Sequence, residues 1–159
     1  MESTGEGGNE SGGNINLRAF SVVGYILLIV SFLPLLYAGS VLLTSPTVSC
    51  IQFLAIGLMI WARLMFGTRS FHLVANPTEG GLVTTGPYRY IRHPIYASVL
   101  YFAWAGILGN PTLMNIALGC GMIVGAWMRI IAEERLVVTK YPEYAEYGSR
   151  TKRVIPFLL

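Results

Sequence analysis

The run AFSVVGYILLIVSFLPLLYAGSVLLTSPTVSCIQFLAIGLMIWA, residues 19–62, decides the fold: 44 residues pass without one Asp, Glu, Lys or Arg. A bilayer-spanning helix takes roughly 20 apolar residues, so the run holds two spans. Thr44, Ser45, Pro46 and Thr47 interrupt it with turn-forming types, which makes the pair a tight hairpin. Small residues Ala38, Gly39 and Ser40 follow the first span as they would follow a signal peptide, but the preceding segment is acidic and the run too long for one. A second charge-free run covers 94–128, 35 residues broken by Gly109, Asn110, Pro111 and Thr112. It supplies two further, shorter spans as a compact hairpin.

Working outward, the polar stretch 67–93 carries Arg69, His72, Arg89 and Arg92, and a charged tail runs from Arg129 to Arg153. With four spans, the N-terminus, this stretch and the tail share one face of the membrane. Every base outside the bilayer then lies on that face, as the positive-inside rule requires of the cytoplasm, so both termini and the active site are expected to be cytoplasmic. In the tail Tyr141, Tyr144 and Tyr147 recur at i, i+3, i+6, the pattern of an amphipathic helix lying at the interface with its rings at headgroup level. Residues 1–14, MESTGEGGNESGGN, have almost nothing to bury and are expected to be a disordered tail. The expected fold is an all-α integral membrane protein with about four transmembrane helices in two hairpins plus the C-terminal interfacial helix. Residues 15–159 form a single domain.

Composition agrees. Of the 159 residues 53% are hydrophobic and 12% charged, against about a quarter charged in a soluble domain, which excludes an ordinary water-soluble globule. Formal charge is +3, but Glu2, Glu6 and Glu10 precede every base, leaving eleven bases against five acids, +6, in the rest. Such an excess beside apolar spans anchors a protein to a lipid bilayer rather than to nucleic acid. Cys50 and Cys120 sit within apolar runs and make no disulfide framework; with only His72 and His93 beside them, no metal site is expected.

Three clusters carry potential chemistry. Gly80 to Tyr96, GGLVTTGPYRYIRHPIY, has Gly80, Gly81, Gly86 and Pro87 to break the helix and Pro94 to start the next. It delivers Arg92, His93 and Tyr96 to a helix N-terminus, where free N–H groups favour a carboxylate or phosphate; the alternative is a juxtamembrane anchor for headgroups. Arg129 and Glu133 stand four apart on one helix face, with Glu134 rotated about 100° from them. Charges at this depth cost roughly 2.5–3.5 kcal/mol each and call for a partner or ligand. Arg63 reads as snorkelling. In the tail, Tyr144, Tyr147, Arg150 and Arg153 are placed to close a lid over the same face. Gly121 and Gly125 mark close helix packing within the bundle.

Gly86-Pro-Tyr-Arg-Tyr-Ile-Arg-His-Pro-Ile-Tyr96, the Asn110-Pro111 hairpin, Glu133-Glu134, Tyr141-Pro-Glu-Tyr-Ala-Glu-Tyr147 and Arg153-Val-Ile-Pro156 together resemble the isoprenylcysteine carboxyl methyltransferase family and its phospholipid N-methyltransferase relatives. The resemblance covers roughly residues 79–157. It implies a membrane enzyme that holds S-adenosylmethionine at the cytosolic face, in a pocket closed by the C-terminal segment, while a lipophilic or small membrane-partitioning acceptor enters from the bilayer. By the same resemblance Gly80, Gly81, Leu82 and Val83 lie along the cofactor. Tyr88, His93, Pro94, Ile95 and Tyr96 contact it, Glu133 is its acidic ligand, and Arg129 orients the acceptor. The chain departs from the family where it reads Tyr141, Pro142, Glu143, Tyr144; the family commonly has a Gly and one more residue. Two other readings stay open: a membrane NADPH-dependent reductase of the sterol reductase type, which is similar in its C-terminal helices, and a non-enzymatic membrane scaffold.

Overall fold

The computed structural model describes residues 7–39, 41–42, 45–67 and 81–156, with side chains from Asn16 onward. Among these residues five helices follow one another: α1 (Gly7–Tyr37), α2 (Pro46–Phe66), α3 (Pro94–Gly109), α4 (Leu113–Lys140) and α5 (Tyr144–Arg150), with a 3-10 turn at Gly86–Arg89 ahead of α3. No strand forms among the described residues. Among the described residues three segments are long and apolar enough to cross a membrane, Asn16–Tyr37, Pro46–Phe66 and Leu113–Lys140, and α3 is a shorter apolar helix. Helix α1 reaches back to Gly7, into the stretch 1–14 expected to be unstructured; residues 1–6 lie outside the described part.

Local chemistry sets the boundaries. Ser45 caps α2, its hydroxyl accepting from the Val48 amide at 3.3 Å, and Pro46 takes the first helical position, where its missing N–H leaves no bond unmade. Thr112 caps α4 in the same way through the Asn115 amide at 3.1 Å, and the Asn115 side chain donates back to Asn110 O at 2.9 Å. Pro94 opens α3.

Both hairpins exist in the chain, but the helices pair crosswise. Helix α1 packs along α4 and α2 along α3, α3 and α4 share a smaller contact, and the consecutive α1 and α2 barely touch. The α1–α4 seam is made of small residues. Ser21, Leu28, Ser31 and Leu35, spaced seven, three and four apart, are buried on α1, and Gly24 lies between them. A Cβ on Gly125 would fall 2.6 Å from Gly24 O and 2.7 Å from Leu28 N, and one on Gly121 would fall 2.6 Å from Ser31 Oγ. Close backbone approach of this kind drives association where lipid competes for apolar surface, so the packing expected of Gly121 and Gly125 is what they do. At the far end Val41 is wedged against Gly106 of α3, and buried Gln52 ties the α1–α2 loop down by donating to Val41 O and, at 3.3 Å, to Phe102 O.

Length places the active end. The 16 residues of α3 rise about 24 Å, short of the ~30 Å hydrocarbon core. Counting about 30 Å along α4 from Leu113 ends near Glu133. The last two turns of α4 and the segment before α3 therefore meet at the edge of the hydrocarbon.

The C-terminal helix expected forms as α5, and its tyrosines pack against the rest of the protein. Helix α5 has only seven residues, Tyr144 is buried, and the Tyr147 hydroxyl donates to Tyr88 O at 2.6 Å. The two rings also meet each other edge to face, their centroids 5.6 Å apart.

Candidate active site

Residues 90–93 run beside the chain's end. Ile91 bridges to Lys152 in parallel, the Arg92 amide donates to Lys152 O at 2.7 Å and the His93 amide to Arg153 O at 3.0 Å. The Tyr101 hydroxyl holds Val154 O at 2.7 Å. This backbone pairing fixes His93, the residue before Pro94, so that its ring enters between the two acids of α4. Its Nδ1 lies 3.8 Å from Glu133 Oε2 and its Nε2 3.2 Å from Glu134 Oε1.

One turn into α3, Tyr96 donates its hydroxyl proton to Glu133 Oε1 at 2.5 Å and accepts from Arg129 Nε at 2.6 Å. Arg129 Nε is also 3.1 Å from Glu133 Oε1, so the i, i+4 pair expected on α4 forms. The Arg129 guanidinium lies 4.8 Å above the Tyr25 ring of α1, and the residue is buried. A buried charge needs this density of partners to be held at all.

Glu134 is engaged differently. Arg153 donates Nε and Nη2 to its Oε2 at 3.0 and 2.9 Å, and Arg92 Nη1 stands 3.4 Å from its Oε1. Arg153 in turn lies 5.4 Å over the Trp127 ring. The side chain of Glu133 is 24% exposed and that of Glu134 11%, so Glu133 is the carboxylate a ligand can reach.

Tyr88 backs the cluster from the 3-10 turn. Its ring packs 5.5 Å from Phe66 at the end of α2, and burial pushes its phenol up, opposed by the charge of Arg63. Tyr147 is pushed up to about 12, chiefly by burial, and burial also raises Tyr144, which faces Glu134. Gly86 permits the turn twice over: its φ is +61°, and a Cβ there would fall 2.6 Å from Met65 Cγ.

Of the residues singled out in the sequence, Tyr88, His93, Tyr96, Arg129 and Glu133 come together. Pro94 and Ile95 form the first turn beneath them. Gly81, Leu82 and Val83 lie half-buried in the irregular segment leading to the 3-10 turn, with no hydrogen bond to the cluster among the described residues. Gly80, Arg69 and His72 lie outside the described residues. Sequence reasoning missed Tyr25, whose only signal was a ring in an uncharged span, and set Glu134 aside although it anchors Arg92 and Arg153. Arg63 lies half-buried at the end of α2, and its charge opposes the rise of the Tyr88 phenol. Among the described residues no group of three or more His, Cys, Asp or Glu suits a metal ion.

Three comparisons bear on this arrangement. Residues 43–144 match the family described as phospholipid methyltransferase. The cobalt-zinc-cadmium resistance protein CzcN of Cupriavidus metallidurans is 33% identical over 92 residues, 54% of this chain and 40% of that protein. The match thus spans well under half the length of that relative. No solved structure matches the chain significantly.

Proposed function

The chain belongs to the phospholipid methyltransferase family, and from that premise we propose that it is an integral membrane methyltransferase using S-adenosylmethionine on a lipophilic or small membrane-partitioning acceptor. The observation that carries the reading is the convergence of His93, Tyr96, Arg129 and Glu133 at the hydrocarbon edge, with Glu133 the accessible acid.

The donor set fits the cofactor's chemistry. S-adenosylmethionine presents a sulfonium, an ammonium, a carboxylate and an adenosine; when bound it supplies an electrophilic methyl group. Glu133 is the acid for its cationic side, the Ile95 and Tyr96 amides in the first turn of α3 offer backbone donors, and Tyr88 offers an aromatic wall. Gly80, Gly81, Leu82 and Val83 complete the set in this reading. Methyl transfer is an in-line displacement that asks of a protein mainly positioning and exclusion of water. Here Tyr96 and Arg129 fix the Glu133 carboxylate, and the C-terminal segment covers the cluster from the aqueous side. Arg129, itself held by Tyr96, Glu133 and the Tyr25 ring, orients the acceptor from a preorganised position. The active site faces the cytoplasm in this reading, following the distribution of bases.

Titration calorimetry of the detergent-purified chain with S-adenosylhomocysteine and with NADPH tests the proposal. Binding of the first and not the second is expected. Binding of NADPH alone would move the chain to the reductase reading, and binding of neither would leave the scaffold.

A further inference from the structure

A groove of about 390 Å³ opens between α4 and α5, lined by Arg92, Glu134, Arg135, Val138, Tyr144, Ala145 and Gly148. Val138 lies five residues beyond Glu133, about 140° around the helix, so the groove is on the far face of α4 from Arg129 and Glu133. It adjoins the site proposed for methyl transfer, since Glu134 also touches His93, but opens on a different face of α4.

Its electrostatics favour an anion. Arg92 and Arg135 contribute two positive charges. The single negative charge of Glu134 is already divided among His93, Arg92 and Arg153. Among the described residues Arg92 makes one ion pair, Nη1 to Glu134 at 3.4 Å, and its Nε is buried with no hydrogen-bond partner. A buried donor without an acceptor is unusual in a folded protein, and an anion in the groove would give the guanidinium a second partner. Gly148 keeps this arrangement open, because a Cβ there would lie 2.7 Å from Arg92 Nη1.

The wall and the depth narrow the class of anion. Val138, Ala145 and the Tyr144 ring give one side of the groove an apolar lining. Counting about 30 Å along α4 from Leu113 ends near Glu133, so Arg135 and Val138 stand just past the hydrocarbon edge, where lipid phosphates lie. Two arginines beside an apolar wall at that level match a phosphodiester carrying acyl chains, and their excess charge disfavours a headgroup that carries its own cation.

We propose that the groove between α4 and α5 seats the headgroup of one anionic phospholipid, its phosphodiester between Arg92 and Arg135. Native mass spectrometry of the full chain in detergent, titrated with phosphatidylglycerol or phosphatidylcholine, tests it. Retention of one phosphatidylglycerol per chain is expected, with no matching retention of phosphatidylcholine. Arg135→Gln, at an exposed position, should weaken retention roughly fivefold, the worth of one basic residue at an anionic surface. Ala145→Glu, also exposed, should abolish it by placing a negative charge in the groove. Equal retention of the two lipids, or parent-like retention by both variants, would overturn the proposal. Displacement of phosphatidylglycerol by an equal concentration of inorganic phosphate would assign the groove to free phosphate and overturn the lipid.

Discussion

Two neighbouring glutamates have been given different work by a rotation of 100°. Glu133 is bonded to Tyr96 and Arg129 and remains partly exposed, whereas Glu134 is enclosed by Arg92, His93 and Arg153. Glu133→Gln is expected to weaken S-adenosylhomocysteine binding at least about tenfold, in line with the loss of a charge-assisted contact. Glu134→Gln should leave that affinity within a factor of roughly three and instead cost stability, about 1–3 kcal/mol, seen as earlier thermal unfolding and faster proteolysis of the tail. Equal losses of affinity in the two variants would sink the assignment. Arg129→Lys keeps the charge but lacks the planar guanidinium whose Nε meets both Tyr96 and Glu133; turnover should fall roughly tenfold while S-adenosylhomocysteine affinity stays nearly intact. Loss of affinity with turnover kept at saturating cofactor would reverse the two roles. The face shared by Arg129 and Glu133 was legible in their spacing, since i, i+4 positions stack on a helix. The partners of Glu134 were not, because Arg92 and Arg153 are 42 and 19 residues away in sequence and meet it only through the pairing of 90–93 with 152–153.

Among the elements, α1 and α4 are joined by glycine contacts that leave no room for change. Gly125→Ala would set a Cβ 2.6 Å from the Gly24 carbonyl, a backbone atom that cannot turn aside. The expected cost is about 1–3 kcal/mol of overpacking, measured as a lowered unfolding temperature in detergent. Gly57→Ala is the matched control on α2: a Cβ there meets nothing within 4 Å, and alanine's better helix propensity should leave stability unchanged or raise it by up to about 1 kcal/mol. The C-terminal segment carries a pH signature of its own. Tyr147 is raised from 10.0 to about 12 by burial and donates to Tyr88 O. Its folded-state proton is held more tightly than the unfolded one, so docking is at full strength below pH 10 and weakens as pH rises from 10 through 12. Tyrosinate absorbance should show this phenol ionising late, together with release of the segment, and Tyr147→Phe should remove that late step. A Tyr147 that ionised at its ordinary value would show that the segment is not docked.

For the molecule as a whole, the apolar helices were legible because uncharged run length maps onto bilayer thickness; among the described residues three are long enough to cross and α3 is shorter than the expected fourth span. Which helix packs on which was not: two hairpins in the chain suggest two packed hairpins, but the small-residue stripe of α1 fits that of α4. That fit needs both surfaces at once, and hydropathy carries neither. The crosswise pairing leaves α3 and α4 with a modest mutual contact, which Tyr96 bridges at the candidate site by bonding Glu133 and Arg129. The C-terminal segment closes the arrangement there, with Arg153 on Glu134 of α4 and Val154 O on Tyr101 of α3. A combined Arg153→Gln and Tyr101→Phe variant removes both fastenings while leaving the α1–α4 and α2–α3 seams untouched. Helical circular dichroism should stay close to that of the parent, while proteolysis after Lys140 speeds up and S-adenosylhomocysteine affinity falls roughly tenfold or more as the cover over Glu133 loosens. Unchanged affinity with a cleavable tail would mean that the cofactor is held by α3, α4 and the 3-10 turn alone, and that the C-terminal segment is only a brace between helices.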